Sequence, residues 1–121
     1  MPPQKINLSD AAAALDQHWT PRVLTAVSGH EVKISKLSGE FVWHQHDDAD
    51  ELFLIVSGTL RLRFRDGEVT LNPGEMLTVP AGVEHLPIAD EEVVTLVFEP
   101  AGVNKLGDKA DSPEGAAFLS D

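Results

Sequence analysis

The segment "TLRLRFRDGEVTL", residues 59–71, alternates apolar and charged positions with a period of two. Leu60, Leu62 and Phe64 share one face, and Arg61, Arg63 and Arg65 share the other. That alternation predicts a half-buried strand with its leucines inward and a solvated arginine stripe outward. The Asp66–Gly67 pair then predicts a hairpin turn. By contrast "LFLIV" (52–56) and "VVTLVF" (93–98) are apolar on both faces. Such strands need cover on both sides, either between two packed sheets or at a subunit contact.

The same grammar extends from Val23 to Phe98. Short runs rich in Val, Leu, Ile, Phe and Thr are separated by Ser28–Gly29, Ser38–Gly39, Ser57–Gly58, Asp66–Gly67, Pro73–Gly74, Ala81–Gly82 and Ala89–Asp90. This predicts many short antiparallel strands in a sandwich or small barrel, an all-β fold. "LPIAD" after His85 reads as the end of a strand. Ahead of the barrel, "INLSDAAAALDQHW" (6–19) predicts one short helix, capped by Ser9 or Asp10, favoured by four alanines and ended before Pro21. After Pro100 the periodicity stops and turn formers dominate. The expected organisation is a helical lead over 1–22, a barrel over 23–100, and an irregular, partly disordered C-terminal arm over 101–121.

Composition narrows the chemistry. A chain of 121 residues suits one domain with one core. It has no cysteine, so disulfides, thiolate nucleophiles and sulfur-ligated metals are excluded. Twenty acidic against nine basic residues give a net charge of −11, a field that repels phosphate backbones and anionic lipid, so neither nucleic acid nor membrane is an expected partner. No window approaches the roughly eighteen apolar residues of a membrane span. The start carries no basic segment followed by an apolar run, and the expectation is a soluble, cytoplasmic protein.

Candidate chemistry gathers in "WHQHDDADELF", residues 43–53. On an extended chain His44 and His46 point the same way, close enough for both rings to reach one cation, while Gln45 points away. The polar "DDAD" lets the chain reverse. Glu51 shares its parity with Phe53 and Ile55, so its carboxylate faces an apolar interior. A buried carboxylate is costly unless it is paired, protonated or bound to a metal. The neighbouring imidazoles favour a metal, and "VPAGVEH" supplies a fourth ligand in His85. Three histidines and a glutamate suit a divalent transition metal: iron(II), manganese, nickel, cobalt, copper or zinc.

These residues resemble the cupin family. In the first cupin motif, "GEFVWHQHDDADELFLIVSG" supplies Gly39, His44, His46, Glu51 and Gly58, with four residues where five are usual after the first glycine. In the second, "GEMLTVPAGVEHLPIA" supplies Gly74, Pro80, Gly82 and His85, with Ala89 where asparagine is usual. The resemblance spans residues 31–99 and points to small bacterial single-domain cupins of the mannose-6-phosphate isomerase-like kind. It implies a double-stranded β-helix, the jelly roll or RmlC-like cupin barrel, with a metal at the barrel mouth, open coordination positions and a homodimer.

Other residues weigh less. His18 and His30 read as surface or packing histidines, and Asp47, Asp48 and Asp50 as a solvated turn whose field favours cation capture. Trp19 and Trp43 read as packing residues at the rim or dimer contact. No serine triad and no phosphate-cradling glycine loop stands out. Glu51 is the one candidate catalytic residue, as a group able to exchange metal for proton. The resulting reading is a metalloenzyme acting on a small oxygenated substrate by isomerase, lyase or dioxygenase chemistry. A non-catalytic small-ligand or metal-binding sensor is the alternative.

Overall fold

The computed structural model describes residues 1–110 together with Ser112, Gly115 and Phe118. Seven strands carry the fold: β1 (Arg22–Val27), β2 (His30–Glu40), β3 (Glu51–Ser57), β4 (Leu60–Phe64), β5 (Gly67–Leu71), β6 (Met76–Val79) and β7 (His85–Pro100). All the pairings between these strands are antiparallel, in the order β1-β2-β7-β3-β6, and the β4–β5 hairpin joins through β4 to β7. The fold is mostly β, an antiparallel jelly roll, as the alternating pattern predicts.

The turns follow their side chains. Ser28 and Gly29 take φ of 47° and 80° between paired Val27 and His30, the left-handed geometry a two-residue hairpin demands. Arg65 and Asp66 lie between paired Phe64 and Gly67, closing the predicted β4–β5 hairpin. Leu60 and Leu62 are fully buried and Phe64 packs against the core, while Arg61, Arg63 and Arg65 face outward to Asp90, Glu68 and Glu84. Arg65 also covers the Trp43 ring, 3.8 Å from its centroid.

Strand β7 differs from expectation. "LPIAD" does not end a strand and Ala89–Asp90 is not a turn; the chain runs on through sixteen residues. Its first part, His85–Ile88, pairs with β4, and its second, Val93–Pro100, lies between β2 and β3. Register shifts and the exposed Asp90–Glu92 stretch bend it between the two parts. Asp90 at the bend receives two hydrogen bonds from Arg61, at 2.9 and 3.0 Å. The bent strand belongs to both layers. The main core lies between them, with Leu60, Leu62 and Leu71 from one and Phe53, Ile55, Val79 and Val97 from the other.

The N-terminal helix α1 spans only Leu8–Ala13. Asn7 caps it rather than Ser9 or Asp10: its side chain accepts from Asp10 N at 3.0 Å. The helix stops at the alanine run because the chain must turn Leu15 onto Ile34 and Val94 in a second, smaller core. Lys36 Nζ then binds the Leu15 carbonyl at 3.0 Å. Trp19 follows with φ 59°, a costly conformation for a bulky residue. It is held by hydrogen bonds to the Lys36 and Ser38 carbonyls and by stacking on Phe41 at 4.5 Å.

Over residues 101–110 the expected arm is irregular apart from a short 3-10 turn, α2 (Gly107–Lys109), and it is anchored: Leu106 is completely buried. The part of the expected tail at residues 111, 113–114, 116–117 and 119–121 lies outside the described residues. Gly58, at φ 80°, turns β3 into β4 hard against the bend in β7. A Cβ there would sit 2.5 Å from the Glu92 carbonyl oxygen and 3.0 Å from Val93 Cα. Gly58→Ala is expected to destabilise the protein by about 2 kcal/mol or more, since left-handed strain and a backbone clash add. Urea denaturation measures the loss, and a change below a few tenths of a kcal/mol would contradict the close approach.

Candidate metal centre

Three strand-like segments bring the four predicted side chains together. The chain through His44 makes a single antiparallel bridge to the start of β7: His44 N binds His85 O at 3.1 Å and His85 N binds His44 O at 2.9 Å. Gly82 N donates to His46 O at 2.8 Å, so the second histidine is fixed as well. Gln45 between them points away and is held by the C-terminal arm, which exchanges Gln45 N to Asp108 Oδ1 (2.9 Å) and Asp108 N to Gln45 O (3.0 Å). Gly107 makes this approach possible, because a Cβ there would overlap the Gln45 carbonyl. Glu51 enters as the first residue of β3, paired with Val79.

His44, His46, Glu51 and His85 are all buried, and one ligand atom from each lies within 4.8 Å of the others. The rings of His44 and His85 are 4.2 Å apart, and that of His46 lies 5.1 and 5.8 Å from them. His44 Nδ1 is 2.9 Å from the Val42 carbonyl and His85 Nδ1 is 3.0 Å from that of Val83. A carbonyl only accepts, so these Nδ1 atoms carry protons and Nε2 is the nitrogen left for a cation. Glu51 bridges His85 and His46, with Oε1 3.2 Å from His85 Nε2 and Oε2 3.4 Å from His46 Nε2. The second contact is ionic in distance but lacks hydrogen-bond geometry, so His46 Nε2 is a buried nitrogen without a hydrogen-bond partner.

The donor set fits a metal ion. Nitrogen and oxygen ligands bound at about 2.1 Å stand about 3–4 Å from one another. The cluster is near that spacing, and the orphaned His46 Nε2 is part of it. Asp47, Asp48 and Asp50 stay outside: all three are exposed, Asp50 accepts from Ala81 N, and Asp47 accepts from Gln45 Nε2. His18 pairs with Glu92 at the surface, and His30 is exposed against Phe98.

Electrostatics separates the members. Burial, then the charge of His85, pulls His44 down to about 4, so its ring is neutral near pH 7. Burial also opposes charging of His46, but the Glu51 carboxylate 3.4 Å away outweighs it and raises His46 above its ordinary value. For Glu51 burial favours the neutral acid, yet His46 and His85 hold it well below the carboxylate range.

A cavity of about 50 Å³ opens beside the cluster between the two layers. Phe41, Phe53, Leu37 and Val97 form its apolar walls, and His44 and Glu51 reach its edge. Its polar wall holds residues the sequence reading missed: Lys33 and Ser35 on β2 and Glu99 on β7. Lys33 Nζ donates to Glu99 Oε1 at 2.9 Å and to the Val103 carbonyl at 3.2 Å. Burial, followed by the charge of Glu51, pushes Glu99 up to about 7 against the pull of Lys33. A signal existed in the sequence: Val93, Thr95, Val97 and Glu99 share one face of β7, so the inward series of an apolar strand ends on a carboxylate.

Comparison with known proteins agrees with this architecture. The cupin domain family matches residues 27–99, and the chain belongs to it. The Bacillus subtilis protein YdbB is 34% identical over 77 residues, covering 63% of this chain and 68% of its own. Among solved structures, a cupin-2 domain protein of Shewanella frigidimarina is 46% identical with a TM-score of 0.77, covering 78% of this chain and 93% of its own. NMB1881 of Neisseria meningitidis is 30% identical with a TM-score of 0.74, covering 81% of this chain and all of its own (100%).

The shift at His44 sets a pH dependence. The unfolded ring takes up its proton near 6.5 and the folded ring near 4, so between these values the unfolded state holds more protons. His44 therefore contributes stability above pH 6.5 that is lost as the pH falls toward 4, on the order of 3 kcal/mol before the opposite-signed contribution of His46. Denaturation of chelator-treated protein across this range is expected to show a shallower acid-side slope in His44→Gln than in the wild type. An unchanged slope would place the proton uptake elsewhere.

Proposed function

We propose that the protein binds one divalent transition metal through His44, His46, Glu51 and His85 and uses it on a small oxygenated molecule seated in the adjoining cavity. The observation that carries this reading is the buried cluster itself: four ligand atoms within 4.8 Å, including a nitrogen with no hydrogen-bond partner. Without a cation, three imidazoles and a carboxylate in this space would carry a desolvation cost that only pairing with Glu51 offsets.

When bound, the metal supplies Lewis acidity, polarising a carbonyl or lowering the pKa of a bound hydroxyl or water. The protein supplies the rest. Val42 and Val83 fix the His44 and His85 tautomers, Glu51 would add the anionic ligand and could hold a proton, and Phe41 and Phe53 give the cavity apolar walls. These features support a metalloenzyme of isomerase, lyase or dioxygenase type. A non-catalytic sensor is the second reading, favoured by the small size of the cavity. Metal analysis of freshly purified protein, followed by dioxygen-consumption and isomerisation screens, separates them.

His46→Ala and His85→Ala are each expected to weaken cobalt(II) binding by more than about tenfold, because even losing a group that only orients a ligand costs that much. Arg63→Ala, on the outer face, should leave occupancy unchanged. Optical titration with cobalt(II) reads both, and full metal retention in either histidine variant would refute the ligand set.

The outer face of β3 and β7 supports a homodimer. Leu15 and helix α1 cover the Val56, Val94 and Leu96 part of that face, but Leu52, Leu54 and Phe98 beyond it stay half-buried, and a second copy would supply the cover that two-faced apolar strands require. Leu54→Glu is expected to shift the protein from dimer to monomer in sedimentation velocity; a wild-type monomer would overturn this assignment.

A further inference from the structure

The chain through the first two candidate ligands is held along both edges, and one of those edges belongs to the C-terminal arm. In an extended segment alternate residues direct their N–H and C=O groups to opposite edges. His44 and His46 use the barrel side: His44 exchanges two hydrogen bonds with His85, and His46 O accepts from Gly82 N at 2.8 Å. Gln45 uses the other side, where Asp108 Oδ1 accepts from Gln45 N at 2.9 Å and Asp108 N donates to Gln45 O at 3.0 Å. A Cβ on Gly107 would overlap the Gln45 carbonyl and lie 3.2 Å from His46 Nδ1, so the backbone of the arm rests against a ligand ring as well.

The arm is shaped for this contact by its own bonds. Asn104 Oδ1 accepts from Leu106 N at 2.8 Å, Gly107 N donates to Asn104 O at 3.0 Å, and Lys109 N donates to Leu106 O at 2.9 Å. Leu106 sinks into the main core, while Lys105 binds the Trp19 carbonyl and lines the cavity whose edge His44 and Glu51 reach. Over residues 101–110 the arm forms turns and one 3-10 segment but no strand. A segment without a ladder opens locally at lower cost than the strands beneath it.

We infer that the arm is a strap over the metal centre, with Asp108 as a positioning residue, and that docking of the arm and binding of the ion reinforce each other through Gln45 and His46. The inference rests on the metal reading above. A cation that fixes His44 and His46 also fixes Gln45 between them, so its N–H and C=O meet Asp108 without a further ordering cost; a docked arm spares the ion the same cost. The linkage is reciprocal: the factor by which the docked arm tightens metal binding is the factor by which the ion tightens docking.

The test compares limited trypsin cleavage of the full chain, chelator-treated and cobalt(II)-loaded, with cobalt(II) affinity measured by optical titration. Cleavage after Lys105 and Lys109 reads opening of the arm, and cleavage after Lys36, inside β2, reads global unfolding. In the wild type the arm is expected to be cut faster than Lys36, and cobalt(II) should slow its cleavage at least about tenfold, the usual worth of a group that orients a ligand. Asp108→Ala should weaken cobalt(II) by at least about tenfold and lose most of that protection. Asp108→Asn keeps an acceptor for Gln45 N and should stay within about threefold of the wild type. Arm cleavage that ignores cobalt(II), arm cleavage no faster than at Lys36, wild-type affinity in Asp108→Ala, or an Asn variant as weak as the Ala variant would each overturn the inference. Should Asp108→Ala fail to fold, the wild-type cleavage rates and Asp108→Asn decide. A wild type that binds no cobalt(II) would defeat the metal reading and this inference with it, whereas binding without protection of the arm would defeat the inference alone.

Discussion

The two hydrogen bonds exchanged by the backbones of His44 and His85 are the constraint on which the site depends. They join a segment that is otherwise not part of a continuous ladder to the start of the longest strand. Once that bridge is made, both rings are committed to the interior, and their Nδ1 protons go to carbonyls two residues back in the chain. The geometry is local at each histidine and long-range between them. Glu51 then compensates the imidazoles electrostatically, which is why so polar a group can stand beside Phe53 without disrupting the core.

Strand β7 turns this local constraint into a pocket. Its first part carries His85 and pairs with β4; its second lies between β2 and β3 and ends at Glu99. The bend at Asp90–Glu92 lets one strand contribute to both layers, so Pro87 from its first part and Glu99 from its second line a common cavity, while His85 meets Glu51 beside it. Gly58 abuts that bend, and the 3-10 turn at Gly107–Lys109 presses on Gln45 from the opposite side. The positions of the four candidate ligands are thus over-determined by backbone contacts, a form of preorganisation that would lower the reorganisation a cation demands.

Much of this was legible in the sequence, and what was not has physical reasons. Alternation in residues 60–65 placed the arginines outside because a period of two leaves one face per parity. The parity argument that put Glu51 rather than Asp50 inside held because Asp50 is still in the turn, where its carboxylate binds Ala81 N. Local signals failed where several residues could do the same work: Asn7, Ser9 and Asp10 are all capable caps, and it is Asn7 that accepts from Asp10 N. They failed at "LPIAD" because Pro87 suggests a break, yet the strand tolerates it, and Pro87 O instead accepts from Phe41 N. The anchoring of Leu106 and the meeting of Ser35, Lys33 and Glu99 depend on chain segments far apart, which no local pattern reports.

The interior therefore places two carboxylates side by side with different obligations. Glu51 is drawn to the histidines and kept anionic, whereas Glu99 is tied by one oxygen to Lys33 and driven toward neutrality by burial and by Glu51. Neighbouring carboxylates whose environments push them apart are suited to separate tasks. In so small a cavity, hydrocarbon contact can distinguish ligands only weakly, since one methylene is worth about 1–3 kcal/mol. A buried acceptor left unpaired by the wrong ligand penalises far more. Any ligand entering this cavity would therefore be sorted mainly by the hydrogen-bonding pattern of its polar wall.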